Sequence, residues 1–317
     1  MSEYKNIIGT HIKTVTTDPP NPENGQMWYN STTRVVKGFT SNPAGAWATS
    51  GSINSARDTL AGSGAQTNAI IFGGQAPNVA KTESYNGSSW TEVNDLNLAR
   101  NGLAGSGTYT SSLAYGGEPS TADTESWNGS SWTEVANMNT ARPNLAGAGA
   151  DNTSALAFAG SSNGTLTETW NGSSWTEVND LNTAKGYLGG FGSVSAAIKT
   201  GGLPSTAATE SWNGTSWTEV NDLNTARYGM YAAKESATAG LVYGGATPTP
   251  ATVANTETWN GTSFTETSDL NTARFGSAGG GTQASAVAAA GSRATPAALV
   301  SEDWTLPVTS TVTFTTS

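Results

Sequence analysis

Six basic residues, Arg57, Arg100, Arg142, Lys185, Arg227 and Arg274, each follow an alanine and stand 43, 42, 43, 42 and 47 residues apart. Cations at a fixed period have two chemical uses. Gathered at one place they hold an anion or a sugar acid, and kept apart each neutralises a carboxylate or caps loop carbonyls. Acids recur at the same period, with Glu125 and Glu134 as the examples in one repeat. Six equivalent copies suit ring construction better than recognition, because an asymmetric ligand calls for a site that breaks the repeat.

The elements that position these residues follow from one unit, Ala99 to Asn137. Ala104 to Thr108 and Ser111 to Tyr115 read as short strands of small residues, closed by Gly116-Gly117. Thr124 to Trp127 reads as a third strand. Asn128-Gly129 is a strong hairpin signal, and Ser131 to Val135 reads as a fourth. Four antiparallel strands per period, six times over, describe the blades of a propeller. Small residues suit its crowded axis and tryptophans its wider rim. The inter-blade link and the loop between second and third strands share one face, so the six basic residues are expected to ring that face.

The two ends of the repeat complete each other. Trp47 to Ser50, followed by Ile53-Asn54-Ser55-Ala56-Arg57, matches Trp132 to Arg142 in order and is a fourth strand without its first three. Phe275 to Gly291 and Ser301 to Trp304 supply those three. A clasp between them leaves no open sheet edge. The tail from Val308 to Thr315 alternates as a further strand, set either to compete for the clasp or to pair with a neighbouring protein.

Composition narrows the chemistry. Asp and Glu number 24 against 14 Lys and Arg, a net charge of −10, which disfavours nucleic acid. There is no cysteine, hence no disulfide, thiolate or sulfur-held zinc. No run approaches 18 apolar residues, so no membrane insertion is expected. The N-terminus, with Glu3, Lys5 and Lys13, lacks the apolar core of a secretory signal. The 11 Trp, 9 Tyr and 7 Phe keep register with the repeat, which argues against disorder.

The doublets Gly73-Gly74, Gly116-Gly117, Gly201-Gly202 and Gly244-Gly245, the two aromatics downstream and the Arg opening the next unit together resemble kelch repeats over about residues 35 to 304. Two units depart, with Ala159-Gly160 and Ala290-Gly291, and the period overlaps the WD40 range, whose Gly-His and Trp-Asp signatures are missing. The resemblance implies an all-β, six-bladed kelch-like propeller. It also raises copper oxidases of the galactose oxidase type, which need a cysteine and several histidines; this chain has no Cys and only His11. A sialidase needs arginines converging with a tyrosine nucleophile and acids at one departure from the repeat.

Gly25 to Thr33, after Pro19-Pro20-Asn21-Pro22, resembles a motif of bacteriophage tail-fibre and virion proteins. The Trp-Asn-Gly-Ser-Ser-Trp and Asn-Thr-Ala-Arg wording is similar to kelch-type structural proteins of marine and cyanobacterial phages. The resemblance implies a non-enzymatic virion protein of a tail or surface appendage (tail fibre or adaptor). Its partners would be other virion proteins, a host receptor or glycan, and further copies of itself; no cofactor or metal is called for. A head decoration protein and a glycan-degrading enzyme are the alternatives.

Repeated aromatics favour packing over sugar stacking. Trp90, Trp132, Trp175 and Trp217 fall at one repeat position and Trp127, Trp170, Trp212 and Trp259 at another, with Tyr85 and Phe264 as aromatic replacements. The sequons at Asn86, Asn128, Asn171, Asn213 and Asn260 are explained by turn chemistry. Candidate function therefore falls where the repeat stops. One place is the long loop after Gly245, with Ala246, Thr247, Pro248, Thr249, Pro250, Ala251 and Thr252 as a candidate binding site. The others are the tail after Trp304 and an extended arm, residues 1–34, with Tyr4, Ile7, Ile8, Ile12, Trp28 and Tyr29 for docking onto the particle. The propeller is assigned to 35–304 and the C-terminal strand to 305–317.

Overall fold

The computed structural model describes residues 12–19, 26–40, 45–75, 77–161, 164–249, 251–292, 299–306 and 310–314. Two compact units emerge: Ala46–Thr305, and the remainder formed by both chain ends. Tyr4, Ile7, Ile8 and Pro250 lie outside the described residues.

The larger unit is an all-β propeller of six four-stranded antiparallel sheets. Blades 1 to 5 span 61–93, 104–135, 146–178, 189–220 and 231–266. Blade 6 takes three strands from 278–305 and its outer strand from Ala46–Ser50. That clasp pairs Trp304 with Trp47 and Ser301 with Ser50, as the complementary chain ends require. Each innermost strand touches that of the next blade, and Ala278–Gly281 returns to Ala61–Ala65, so the ring is closed.

Small residues form the inner strands because neighbouring backbones approach closely. A Cβ at Gly62 would lie 2.5 Å from the carbonyl of Gly279. One blade departs: Tyr231 stands where the other blades begin this strand with Ala or Gly. Its hydroxyl donates to the carbonyls of Gly62 and Gly279, both at 2.8 Å. Further out, indoles join the blades. Trp132, Trp175, Trp217 and Trp47 each donate Nε1–H at 3.1 Å to a threonine hydroxyl on the third strand of the preceding blade. Where Phe264 replaces the indole, the partner Thr209 turns to Thr200 at 2.8 Å.

In the smaller unit Lys13–Val15, Met27–Asn30, Val35–Thr40 and Ser310–Phe314 form one sheet in that order. The first pair is parallel and the other two are antiparallel. Asp18 organises one side of it, accepting from Trp28 Nε1 at 2.9 Å, Asn30 Nδ2 at 2.8 Å and Lys37 Nζ at 2.6 Å. The hydrogen bond from Lys37, then those from Asn30 and Trp28, draw its carboxyl down to about 2. Trp28 is buried, Tyr29 half-buried and Ile12 exposed.

Two sequence expectations change here. Val35–Thr40, counted with the propeller, pairs outside it with Met27–Asn30 and Ser310–Phe314. The tail strand therefore does not compete for the clasp: it pairs with Val35–Thr40 within the same chain. The expected docking residue Trp28 is core of this sheet, with its one polar atom committed to Asp18.

Candidate functional site

Each basic residue opens a blade, and five of the six go inward. Arg57 meets Glu83 at 2.5 Å, Arg100 meets Glu125 at 3.0 Å and Arg227 meets Glu257 at 2.9 Å; Arg142 and Arg274 pair likewise with Glu168 and Glu302. All ten side chains are buried. An asparagine three residues before each arginine donates its backbone N–H to the same carboxylate, as Asn97 does to Glu125 at 2.7 Å. Loop carbonyls take further guanidinium protons, such as Ala159 O from Arg142 at 3.0 Å. A buried charge survives only when paired and hydrogen-bonded, and this arrangement supplies both in each of those blades. Buried against these glutamates and loop carbonyls, the guanidinium groups join strands and are not offered to a ligand.

Blade 4 is different. Its carboxylate, Glu210, meets Lys199 at 3.7 Å. Lys199 faces Glu210 in register, where the other blades place Ile71, Ala114, Ala157, Val242 and Ala288. Burial pulls the Lys199 ammonium below its usual range, Glu210 opposing and Lys185 adding to the shift. Lys185 itself is half-buried and has no ion-pair partner among the described residues.

Two residues beyond each basic position lie Thr59, Gly102, Asn144, Tyr187, Gly229 and Gly276, all with φ between 51° and 65°. Each donates its N–H to the carbonyl of its counterpart in the preceding blade, at 2.6 to 2.9 Å, and Thr59 closes the circle on Gly276. Six backbone hydrogen bonds thus ring one mouth of the channel. Below them Leu60, Leu103, Leu145, Leu188, Met230 and Ser277 surround a cavity of about 90 Å³. The Ser277 hydroxyl there has no hydrogen-bond partner among the described residues.

This ring is where the blades stop being alike. Glycine adopts positive φ without strain, whereas Thr59 and Tyr187 do so at a cost of about 1–2 kcal/mol. Gly229 is obligatory for a second reason: a Cβ there would overlap the Phe275 ring. Phe275 in turn lies 5.6 Å from Tyr228 and 6.2 Å from Tyr187 between ring centroids. Blades 4 to 6 therefore present three aromatic rings at the mouth, all half-buried.

Blades 1 to 3 present amides, hydroxyls and acids in the same positions. Thr59 Oγ1 donates to Asn101 Oδ1 at 3.3 Å, Asn101 Nδ2 to Asn78 Oδ1 at 2.5 Å, and Asn144 Nδ2 to Ser161 Oγ at 3.0 Å. Burial raises the Asp58 carboxyl above the usual carboxylate range. The Tyr187 phenol is raised by burial and then by the Glu118 carboxylate, with smaller contributions from Asp58 and Tyr228. Groups from four blades thus share one electrostatic space. A face half aromatic and half amide or carboxylate is suited to a ring-shaped polar ligand, stacked on one side and hydrogen-bonded on the other.

The long loop is anchored beside this face. Ala246 is buried and bridges to Tyr228 and to Thr252, and Thr247 N donates to Ala251 O at 3.1 Å. Pro248, Thr249 and Ala251 are exposed at its tip. Sequence reasoning singled out this loop. At the mouth it weighed only the six basic residues, as an anion or sugar-acid site, and set them aside as ring construction, so the variable residues beside them were passed over. The signal was present: the one or two residues after each basic position, Asp58-Thr59, Asn101-Gly102, Pro143-Asn144, Gly186-Tyr187, Tyr228-Gly229 and Phe275-Gly276, vary within otherwise repetitive wording.

No protein-family model and no curated protein sequence matches the chain.

Proposed function

We propose that this chain is a non-enzymatic structural protein of a bacteriophage virion, a tail or other surface-appendage component. In this reading its kelch-like propeller presents the channel mouth to a host-surface glycan or receptor. The observation that carries the recognition part is the gathering of the departures from the repeat at one mouth, in Thr59, Asn144, Tyr187, Tyr228 and Phe275. Packing alone is served by the buried Arg–Glu pairs and the indole–threonine bonds, which recur with little change. Residues that differ at equivalent positions, two of them in a strained backbone, have the asymmetry that a single ligand needs. The virion assignment rests on the wording of the repeat and of residues 25–33, and the sheet built from both chain ends is the proposed attachment to neighbouring virion proteins.

The test has two arms. Mapping the chain in purified particles by electron cryomicroscopy is expected to place it on an appendage with the mouth facing outward. A glycan array is expected to show binding that is lost in the Tyr228→Ala/Phe275→Ala double variant. Absence of the chain from the particle, or a mouth buried against another virion protein, overturns the assignment. Release of oligosaccharides from host polysaccharide overturns the non-enzymatic reading.

A further inference from the structure

Beside the mouth, between blades 3 and 4, is a second cavity of about 190 Å³, lined by Ser161, Gly164, Lys185, Gly186, Tyr187 and Leu203, among others. It is many times the ~10–15 Å³ that a single water requires. Three departures from the repeat create it. Lys185 replaces arginine, and its partner carboxylate has been taken over by Lys199. Gly186 occupies a position filled elsewhere by Asp58, Asn101, Pro143, Tyr228 and Phe275, and a Cβ there would already lie 3.2 Å from Ser161 N and Oγ. The loop of blade 3 that supplies Ser161 begins from the irregular doublet Ala159-Gly160.

We infer that this pocket is an anion subsite, in which the Lys185 ammonium and the Ser161 hydroxyl hold a carboxylate or sulfate substituent of a saccharide whose ring stacks on Tyr187. The inference rests on the mouth being the glycan-facing surface and names the class of glycan. Among the six basic positions, Lys185 alone makes no ion pair with its blade's glutamate. The Ser161 hydroxyl accepts from Asn144 Nδ2 and keeps its own proton to donate. Tyr187 borders both this pocket and the channel cavity, so a ring stacked on it reaches Lys185 with one substituent. Asp58 and Glu118, from blades 1 and 2, act on the Tyr187 phenol across the mouth and disfavour an anion there, so the charged substituent is assigned to the pocket beside Lys185 and not to the mouth itself.

Blade 5 shows what the pocket replaces. There Arg227 pairs with Glu257, and Val242 stands where blade 4 has Lys199. The variant Lys185→Arg/Lys199→Val therefore rebuilds the common pattern and turns the cation inward while keeping the buried charge balanced. Lys185→Met removes the charge alone.

Saturation-transfer NMR and titration with methyl glucuronide, a sulfated methyl galactoside and methyl glucoside test the inference on the full chain. The parent is expected to prefer an anionic sugar to methyl glucoside, and both variants to lose that preference by about 10- to 100-fold with thermal midpoints close to the parent's. Binding of the glucuronide alone identifies the carboxylate as the recognised group, and of the galactoside alone the sulfate. Equal binding of all three sugars, or an anionic preference unchanged in Lys185→Met, overturns the subsite and leaves the platform reading standing. Binding of none of them by the parent overturns the subsite, whereas the platform reading is decided separately on the particle.

Discussion

Exchanging the charge arrangement of one blade for that of another tests whether the buried pairs are interchangeable parts. In blade 3 Arg142 neutralises Glu168, and Ala157 lies directly opposite Glu168 in the sheet. Arg142→Lys places there the side chain that in blade 4 makes no ion pair, leaving Glu168 with the N–H donors of Asn139 at 2.7 and 2.9 Å. Removing one partner of a buried pair costs about 3–5 kcal/mol, and the retained hydrogen bonds set the expectation at the lower end, about 3 kcal/mol. In a domain of this size that is a fall of about 6–12 °C in thermal midpoint. Adding Ala157→Lys copies the Lys199–Glu210 solution, and the double variant is expected to return to within about 1 kcal/mol of the parent. Ala157→Lys alone sets two cations against one carboxylate and is destabilising. Urea unfolding followed by the fluorescence of Trp170 and Trp175 gives the double-mutant cycle, with an expected coupling of about 3 kcal/mol. A coupling below about 0.5 kcal/mol at unchanged m-value refutes the argument that Lys199 is what frees Lys185.

Three further outcomes follow from single sites. Ala159 and Ala290 hold φ of 64° and 61° where four blades have glycine. Ala159→Gly and Ala290→Gly are each expected to stabilise by about 0.5–1 kcal/mol in denaturant melts, the left-handed penalty exceeding the entropy that glycine adds to the unfolded chain; destabilisation by either refutes this. Burial raises the Asp58 carboxyl, so its contribution to stability is complete below the unfolded value near pH 4 and is lost as pH rises through the higher folded one. Asp58→Asn is therefore expected to melt above the parent at about pH 7 and to converge with it near pH 3, and a variant less stable at neutral pH contradicts this. Tyr231→Phe leaves the Gly62 and Gly279 carbonyls without their shared donor. A loss of about 1–2 kcal/mol in chemical denaturation is expected, and no loss means that the hydroxyl merely fills space.

The propeller was legible because its signals are local and repeated. Asn-Gly turns, alternating tryptophans and the unmatched strands at Trp47 and Trp304 each constrain the chain over a few residues, and six copies average out the noise. The sheet of the smaller unit was not legible in this way. Val35–Thr40 and Ser310–Phe314 find each other from opposite ends of the chain, and neither carries a turn or a repeat that points to the other. The mouth was missed for a related reason. Tyr187, Asn144 and Thr59 look like scatter within a repeat until the ring brings six separated positions within reach of one another. Lys185 was recognised as a member of the basic series, but its freedom depends on Lys199, fourteen residues further on, and periodicity alone does not connect the two.

The circle of hydrogen bonds through Thr59, Gly102, Asn144, Tyr187, Gly229 and Gly276 makes the mouth a surface open to redesign. Because each N–H and carbonyl in it is satisfied by a neighbour in the circle, the backbone needs no ligand to complete it, and asks of the side chains only that they tolerate a positive φ and, at Gly229, leave room for Phe275. Three of the six places are glycine and three already carry side chains of very different size. The molecule thus separates its upkeep from its vocabulary. In the proposed virion role, host range would shift by exchanging side chains around one rim, at the places where this backbone accepts them.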